Sequence, residues 1–110
     1  FSTWLGETRQ LDFHDYESLW RWSTTELEAF WESVWQWFDI QSHSDYKQVL
    51  AKREMPGAKW FEGASLNYAE HLLARAREPG ADQREALVFR SELTARASLT
   101  WSELEYKSLH

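Results

Sequence analysis

The chain has no cysteine, so neither a disulfide framework nor thiolate chemistry is open to it. It has no apolar run long enough for a signal peptide core or a membrane span, and no membrane partner is expected. Basic residues are few: 12 Lys and Arg stand against 18 Asp and Glu, giving a net charge of -6. Because those cations are scattered instead of forming a stripe, the electrostatic footprint of a nucleic-acid binder is missing. The four glycines, Gly6, Gly57, Gly63 and Gly80, stand singly, so no glycine-rich loop can wrap successive backbone amides around a phosphate.

Motifs for chemistry are equally sparse. His14, His43 and His71 lie far apart, with no His-x-x-x-His pair to hold two metal ligands on one helical face, and no metal site is expected. Glu70 and His71 are neighbours on an expected helix and point in different directions, so they form no acid–base pair. No serine sits in a Gly-x-Ser-x-Gly elbow. Glu28 and Glu32 are four apart and could present two carboxylates together, but a solvated helix face is the stronger reading. No catalytic, cofactor-binding or metal-ligating residue is assigned.

What the chain does have is aromatic surface: eight Trp, six Phe and four Tyr in 110 residues. Each large ring offers about 150–250 Å² for burial, more than a small helical segment covers by itself. Two Trp-x-Trp units, Trp20 with Trp22 and Trp35 with Trp37, sit near expected helix ends. Residues two apart on a helix do not share a face, so one ring of each unit should meet something other than the partner helix.

The order of elements expected is helices, then a hairpin, then a further helix. Asp12 is read as the N-cap of a helix reaching residue 22. Ser23 and Glu26 have capping-box spacing for a second helix, whose apolar stripe is Leu27, Phe30, Trp31, Val34, Trp35 and Phe38. Trp31 is expected in the core, where Trp31→Ala would cost about 3–5 kcal/mol. Residues 46–50 read as an extended segment. Asn67 and Glu70 make another capping box for a helix to residue 77, stopped by Pro79-Gly80. Residues 86–91 and 97–99 read as hairpin strands, and Thr100 with Glu103 caps a last helix.

The most distinctive run is Met55-Pro56-Gly57-Ala58-Lys59-Trp60-Phe61-Glu62-Gly63-Ala64-Ser65-Leu66-Asn67-Tyr68-Ala69-Glu70-His71-Leu72-Leu73. A Pro-Gly turn delivers two adjacent aromatics, a second glycine breaks the path, and an Asn-started helix follows. This run resembles the N-terminal region of acyl-CoA synthetases of the adenylate-forming superfamily, in particular their acetoacetate-activating branch. Tyr16-Glu17-Ser18-Leu19-Trp20-Arg21-Trp22-Ser23 with Ala29-Phe30-Trp31-Glu32-Ser33-Val34-Trp35 is similar to the helical lead-in of those enzymes. Leu99-Thr100-Trp101-Ser102-Glu103-Leu104 resembles the strand-to-helix step that opens their large domain.

The resemblance implies an α+β fragment of a larger enzyme, with residues 1–78 as its helical N-terminal region and 79–110 as the start of the large domain. It implies a cytoplasmic parent ligase that uses ATP, Mg2+ and CoA, none of them held by this chain, whose partner is the remainder of that ligase. Docking or structural roles fall to Trp31, Trp35, Trp60, Phe61, Leu66, Asn67, Tyr68 and Trp101. A start at Phe1 and a helical pattern still running at His110 suggest excision from a longer chain. A competing reading makes the Trp faces an interaction or oligomerisation module. A membrane-surface helix over residues 24–38 is disfavoured, because Glu26, Glu28 and Glu32 give its polar face the wrong charge for anionic headgroups.

Overall fold

The computed structural model describes residues 1–109 and shows five helices and two antiparallel hairpins, an α+β arrangement. The chain divides into two compact units, Phe1–Leu66 and Asn67–His110.

The first unit opens with a helix that the sequence did not suggest, α1 (Ser2–Arg9). Its Thr3, Gly6 and Thr8 are weak helix formers, and what holds it is packing: Leu5 is completely buried. α2 (Tyr16–Thr25) starts three residues later than expected. Asp15, not Asp12, is its N-cap: Asp15 Oδ1 accepts the Ser18 N–H at 2.8 Å, and the Ser18 hydroxyl answers at the Asp15 backbone. These hydrogen bonds from Ser18 hold the Asp15 carboxyl below its ordinary value of 3.8.

The expected capping box at Ser23 does not form. The Ser23 hydroxyl donates back to Trp20 O, and Thr24 and Thr25 donate to Arg21 O, so all three satisfy carbonyls of the helix they end. The break falls at Glu26, and α3 (Leu27–Trp37) begins there without a side-chain cap. α3 packs on α2 and on β1 (Gln48–Lys52). Ser33 is fully buried on it, donating to Phe30 O at 2.6 Å. β1 overlaps the span expected to be extended and is shifted two residues later. Its partner β2 (Lys59–Glu62) was not anticipated; the register pairs Gln48 with Glu62 and Leu50 with Trp60, with a bulge beyond Leu50. Val49 and Leu50 are buried.

In the second unit Asn67 caps α4 (Tyr68–Leu73), its Oδ1 accepting the Glu70 N–H at 3.2 Å. The expected single helix is instead two pieces, since the chain tightens into a 3₁₀ turn over Ala74–Arg77. β3 (Glu85–Phe89) pairs with β4 (Ala97–Thr100), Leu87 facing Leu99, Val88 facing Ser98 and Phe89 facing Ala97. α5 (Trp101–Leu109) follows without a loop. Its capping box is complete: Thr100 N–H donates to Glu103 Oε2 at 2.8 Å and Glu103 N–H to Thr100 Oγ1 at 3.2 Å. Buried apolar residues of this unit are Leu73 and Ala81.

Candidate docking surface

Burial in this chain is thin relative to its aromatic content. Its accessible surface is 8612 Å², whereas a single compact protein of this length exposes roughly 6,400 Å², and two separate bodies of 66 and 44 residues roughly 7,700 Å². Even against the second figure the excess is on the order of 900 Å², about one partner's share of a standard interface.

In the first unit the rings form an edge-to-face network. Trp60 of β2 meets Trp31 of α3 at 5.9 Å, Trp31 meets Phe30 at 5.2 Å, and Phe30 meets Trp22 of α2 at 5.8 Å. Phe1 and Trp4 close on Trp37 at 5.8 and 5.6 Å, which is how α1 is held. Trp35 lies on the other side of α3, stacked on Phe61 at 4.5 Å with Tyr46 edge-on to both. The divergence expected within the Trp-x-Trp units is therefore realised in the second of them: Trp35 serves the hairpin and Trp37 serves α1.

Phe61 sits at φ 47, left-handed backbone that a bulky residue seldom adopts. The stacking of its ring on Trp35 and its edge-on contact with Tyr46 offset that cost, of order 1–2 kcal/mol. Several rings stay partly exposed. Trp31 is 41% exposed, so the expectation of a core tryptophan is corrected: Trp60 and Phe30 contact it edge-on and leave much of its ring open. Trp60, Leu66, Tyr68, Trp20, Trp37 and Phe38 are exposed as well, while Trp35, Phe61 and Trp101 are half-buried. Phe1, Leu19, Phe30, Val34, Trp37 and Phe38 line an open apolar groove of about 320 Å³. At the head of α5, the Trp101 N–H donates to Arg84 O at 3.1 Å.

Glu32 corrects the solvated-face reading of α3. Its Oε2 accepts from Arg9 Nη2 and Nη1 at 3.3 and 3.4 Å, its Oε1 accepts the Tyr46 hydroxyl at 3.0 Å, and Arg9 Nη2 also donates to Gln36 Oε1 at 2.8 Å. One carboxylate thus ties α1, α3 and the approach to β1. Burial, then the hydrogen bond to Glu32 and its charge, push the Tyr46 hydroxyl above its ordinary value of 10. Sequence reasoning missed Arg9 and Tyr46, which are 23 and 14 positions from Glu32 and share no local pattern with it.

Among the described residues no group of three His, Cys, Asp or Glu side chains converges to hold a metal ion. The Nδ1 of His71 is buried without a hydrogen-bond partner among the described residues.

These surfaces occur on a chain with clear relatives. It is 38% identical over 104 residues to acetoacetyl-coenzyme A synthetase of Rhizobium meliloti (strain 1021), covering 94% of this chain and 15% of that protein. It is 33% identical over 92 residues to malonamoyl-CoA synthetase vrtB of Penicillium aethiopicum, covering 81% and 13%. Among solved structures it is similar to acetoacetyl-CoA synthetase from Streptomyces lividans, at 41% identity with a TM-score of 0.79 over 94% of this chain and 16% of that one. The chain thus spans about one-seventh of the length of these relatives. The family described as the acetyl-coenzyme A synthetase N-terminus matches residues 16–72, which covers α2, α3, the first hairpin and all but the last residue of α4. With more than half of its length so matched, the chain belongs to the acetyl-coenzyme A synthetase N-terminus family.

Proposed function

We propose that the chain is the N-terminal structural segment of an acid:CoA ligase and is catalytically inert by itself. In the intact enzyme, a cytoplasmic protein, ATP and Mg2+ would convert acetoacetate to its acyl-adenylate with release of pyrophosphate, and CoA would then accept the acyl group. Residues 1–78 would form its helical N-terminal region and 79–110 the start of its large domain.

The observation that carries this reading is the match to acetoacetyl-coenzyme A synthetase over 94% of the chain but only 15% of that relative, on a chain that leaves Trp20, Trp31, Trp37 and Trp60 exposed. What its own residues supply is a prepared surface. Trp35, Phe61 and Tyr46 fix the hairpin to α3, and Trp31 with Trp60 present rings outward. Asn67 and Thr100 set where α4 and α5 begin.

The test is direct. The intact parent, given ATP, CoA and acetoacetate, should form AMP and acetoacetyl-CoA, and the 110-residue chain should form neither. Turnover by the chain alone overturns the reading. The exposed Trp37 and Phe38 at the apolar groove favour a second reading, an oligomerisation module. A chain that elutes as a strict monomer contradicts it.

A further inference from the structure

We propose that the face of α4 carrying Tyr68, His71 and Leu72 docks on the remainder of the parent ligase, where His71 Nδ1 accepts a hydrogen bond from an N–H or O–H group of that body. This rests on the reading of the chain as one part of a longer ligase. Its grounds lie in the second unit.

His71 sits in the last turn of α4, and its Nδ1 is closed off from solvent with no hydrogen-bond partner among the described residues. Folds rarely leave a buried polar atom in that state, because its lost hydration is not repaid. A neutral imidazole carries one N–H and one lone pair, and the Nε2 of His71 is not orphaned in the same way. An enclosed N–H without an acceptor is a rarer state than an under-used acceptor, so the proton belongs on Nε2 and Nδ1 is left as a lone pair. What complements it is a donor. The elements packed against α4, the 3₁₀ turn and α5, give it none: Arg77 is paired with Glu105 at 3.6 Å, and the Ser108 hydroxyl donates to Leu104 O at 2.8 Å.

The rest of α4 says where that donor comes from. Tyr68, His71 and Leu72 are spaced i, i+3, i+4 and share one face of the helix, while Leu73 turns into the unit's own core and is buried. Tyr68 and Leu72, on either side of His71, are both exposed. The face thus offers a tyrosine and a leucine, no Asp, Glu, Lys or Arg, and one polar atom already shut off from water. Interface centres have that composition, enriched in aromatic groups and depleted of charged ones, whereas solvated helix faces do not. The occupant is the same polypeptide, because the relative that matches 94% of this chain gives only 15% of its own length to the match.

Two substitutions separate the ring nitrogens. Asparagine places its carbonyl oxygen where Nδ1 stands, and glutamine places its own further out, where Nε2 stands. In the intact parent, hydrogen exchange of the α4 amides should be about tenfold faster in His71→Gln than in the unaltered protein and within about twofold of it in His71→Asn. Helix propensity alone predicts the reverse order, since Gln is the better helix former. In the 110-residue chain, which lacks the donor, the advantage of Asn over Gln should be absent. With no substitution at all, the Nδ1 nitrogen resonance of His71 should differ between the chain and the parent, in the direction of an accepted hydrogen bond. Equal exchange in the two variants of the parent overturns the proposal. So does an Asn advantage of the same size in the short chain, or an Nδ1 resonance that is the same in both proteins, either of which assigns the donor to this chain or to an enclosed water. Acetoacetate ligation measured on the same parent sample separates the two readings: ligation without the Asn–Gln difference defeats the docking contact alone, and the difference without ligation defeats the ligase reading alone.

Discussion

Glu28 and Glu32 lie one turn apart on α3 and look equivalent in the sequence, yet their removal should have unequal effects. Glu28 is exposed, and Glu28→Ala should change stability by no more than about 0.5 kcal/mol. Glu32 holds Arg9 and Tyr46 at once. Hydrogen bonds to a charged partner contribute about 1.5–3 kcal/mol when buried, and exposed ion pairs at most about 1. With the side chains of Arg9 and Glu32 at 22% and 35% exposure, each of the two links falls between, near 1 kcal/mol. Glu32→Ala should therefore cost about 2 kcal/mol. Urea unfolding followed by tryptophan fluorescence measures both variants. A cycle with Arg9→Met should return a coupling of about 0.5–1 kcal/mol that shrinks in 1 M salt. Equal costs for Glu28→Ala and Glu32→Ala would refute the three-way tie.

Leu5→Ala should destabilise by about 2–5 kcal/mol because that side chain is fully enclosed, whereas Trp31→Ala, losing a partly exposed ring, should cost about 2–3; thermal and urea melts of the pair give the ranking, and a costlier Trp31 would be wrong for this packing. The raised pKa of Tyr46 means that the folded state holds its proton more tightly than the unfolded state. Its contribution is complete below pH 10 and is lost as pH climbs through the folded value, so a stability profile over that range should fall, and Tyr46→Phe should flatten the fall. Asp15 has the opposite sign: its lowered pKa stabilises above the ordinary 3.8 and is lost as pH drops through the folded value. Helix content followed by circular dichroism should decline there in the parent sequence and less in Asp15→Asn.

The local signals in the sequence proved reliable where a helix start is decided by its own four residues, as at Asn67 with Glu70 and at Thr100 with Glu103. At Ser23 the same spacing misled, because a hydroxyl at the end of one helix can bond backward to that helix as easily as forward to the next. β2 was hidden by its brevity and by the positive φ of Phe61, which breaks the alternation that marks a strand. α1 carries too few strong helix formers to stand out and is held by tertiary contacts of Phe1, Trp4 and Leu5. The exposed rings could be picked by type from the aromatic surplus. Which of their faces are covered could not, since that depends on partners from other elements, as the outward side of Trp31 shows.

The central claim is that the outward rings of this chain are shaped for a larger body in the same polypeptide. Oxidative footprinting of the intact parent beside the 110-residue chain tests it most directly. The account predicts that Trp20, Trp31, Trp37 and Trp60 react readily in the short chain and that most of them are shielded in the parent. Equal reactivity of all four in both proteins would contradict it.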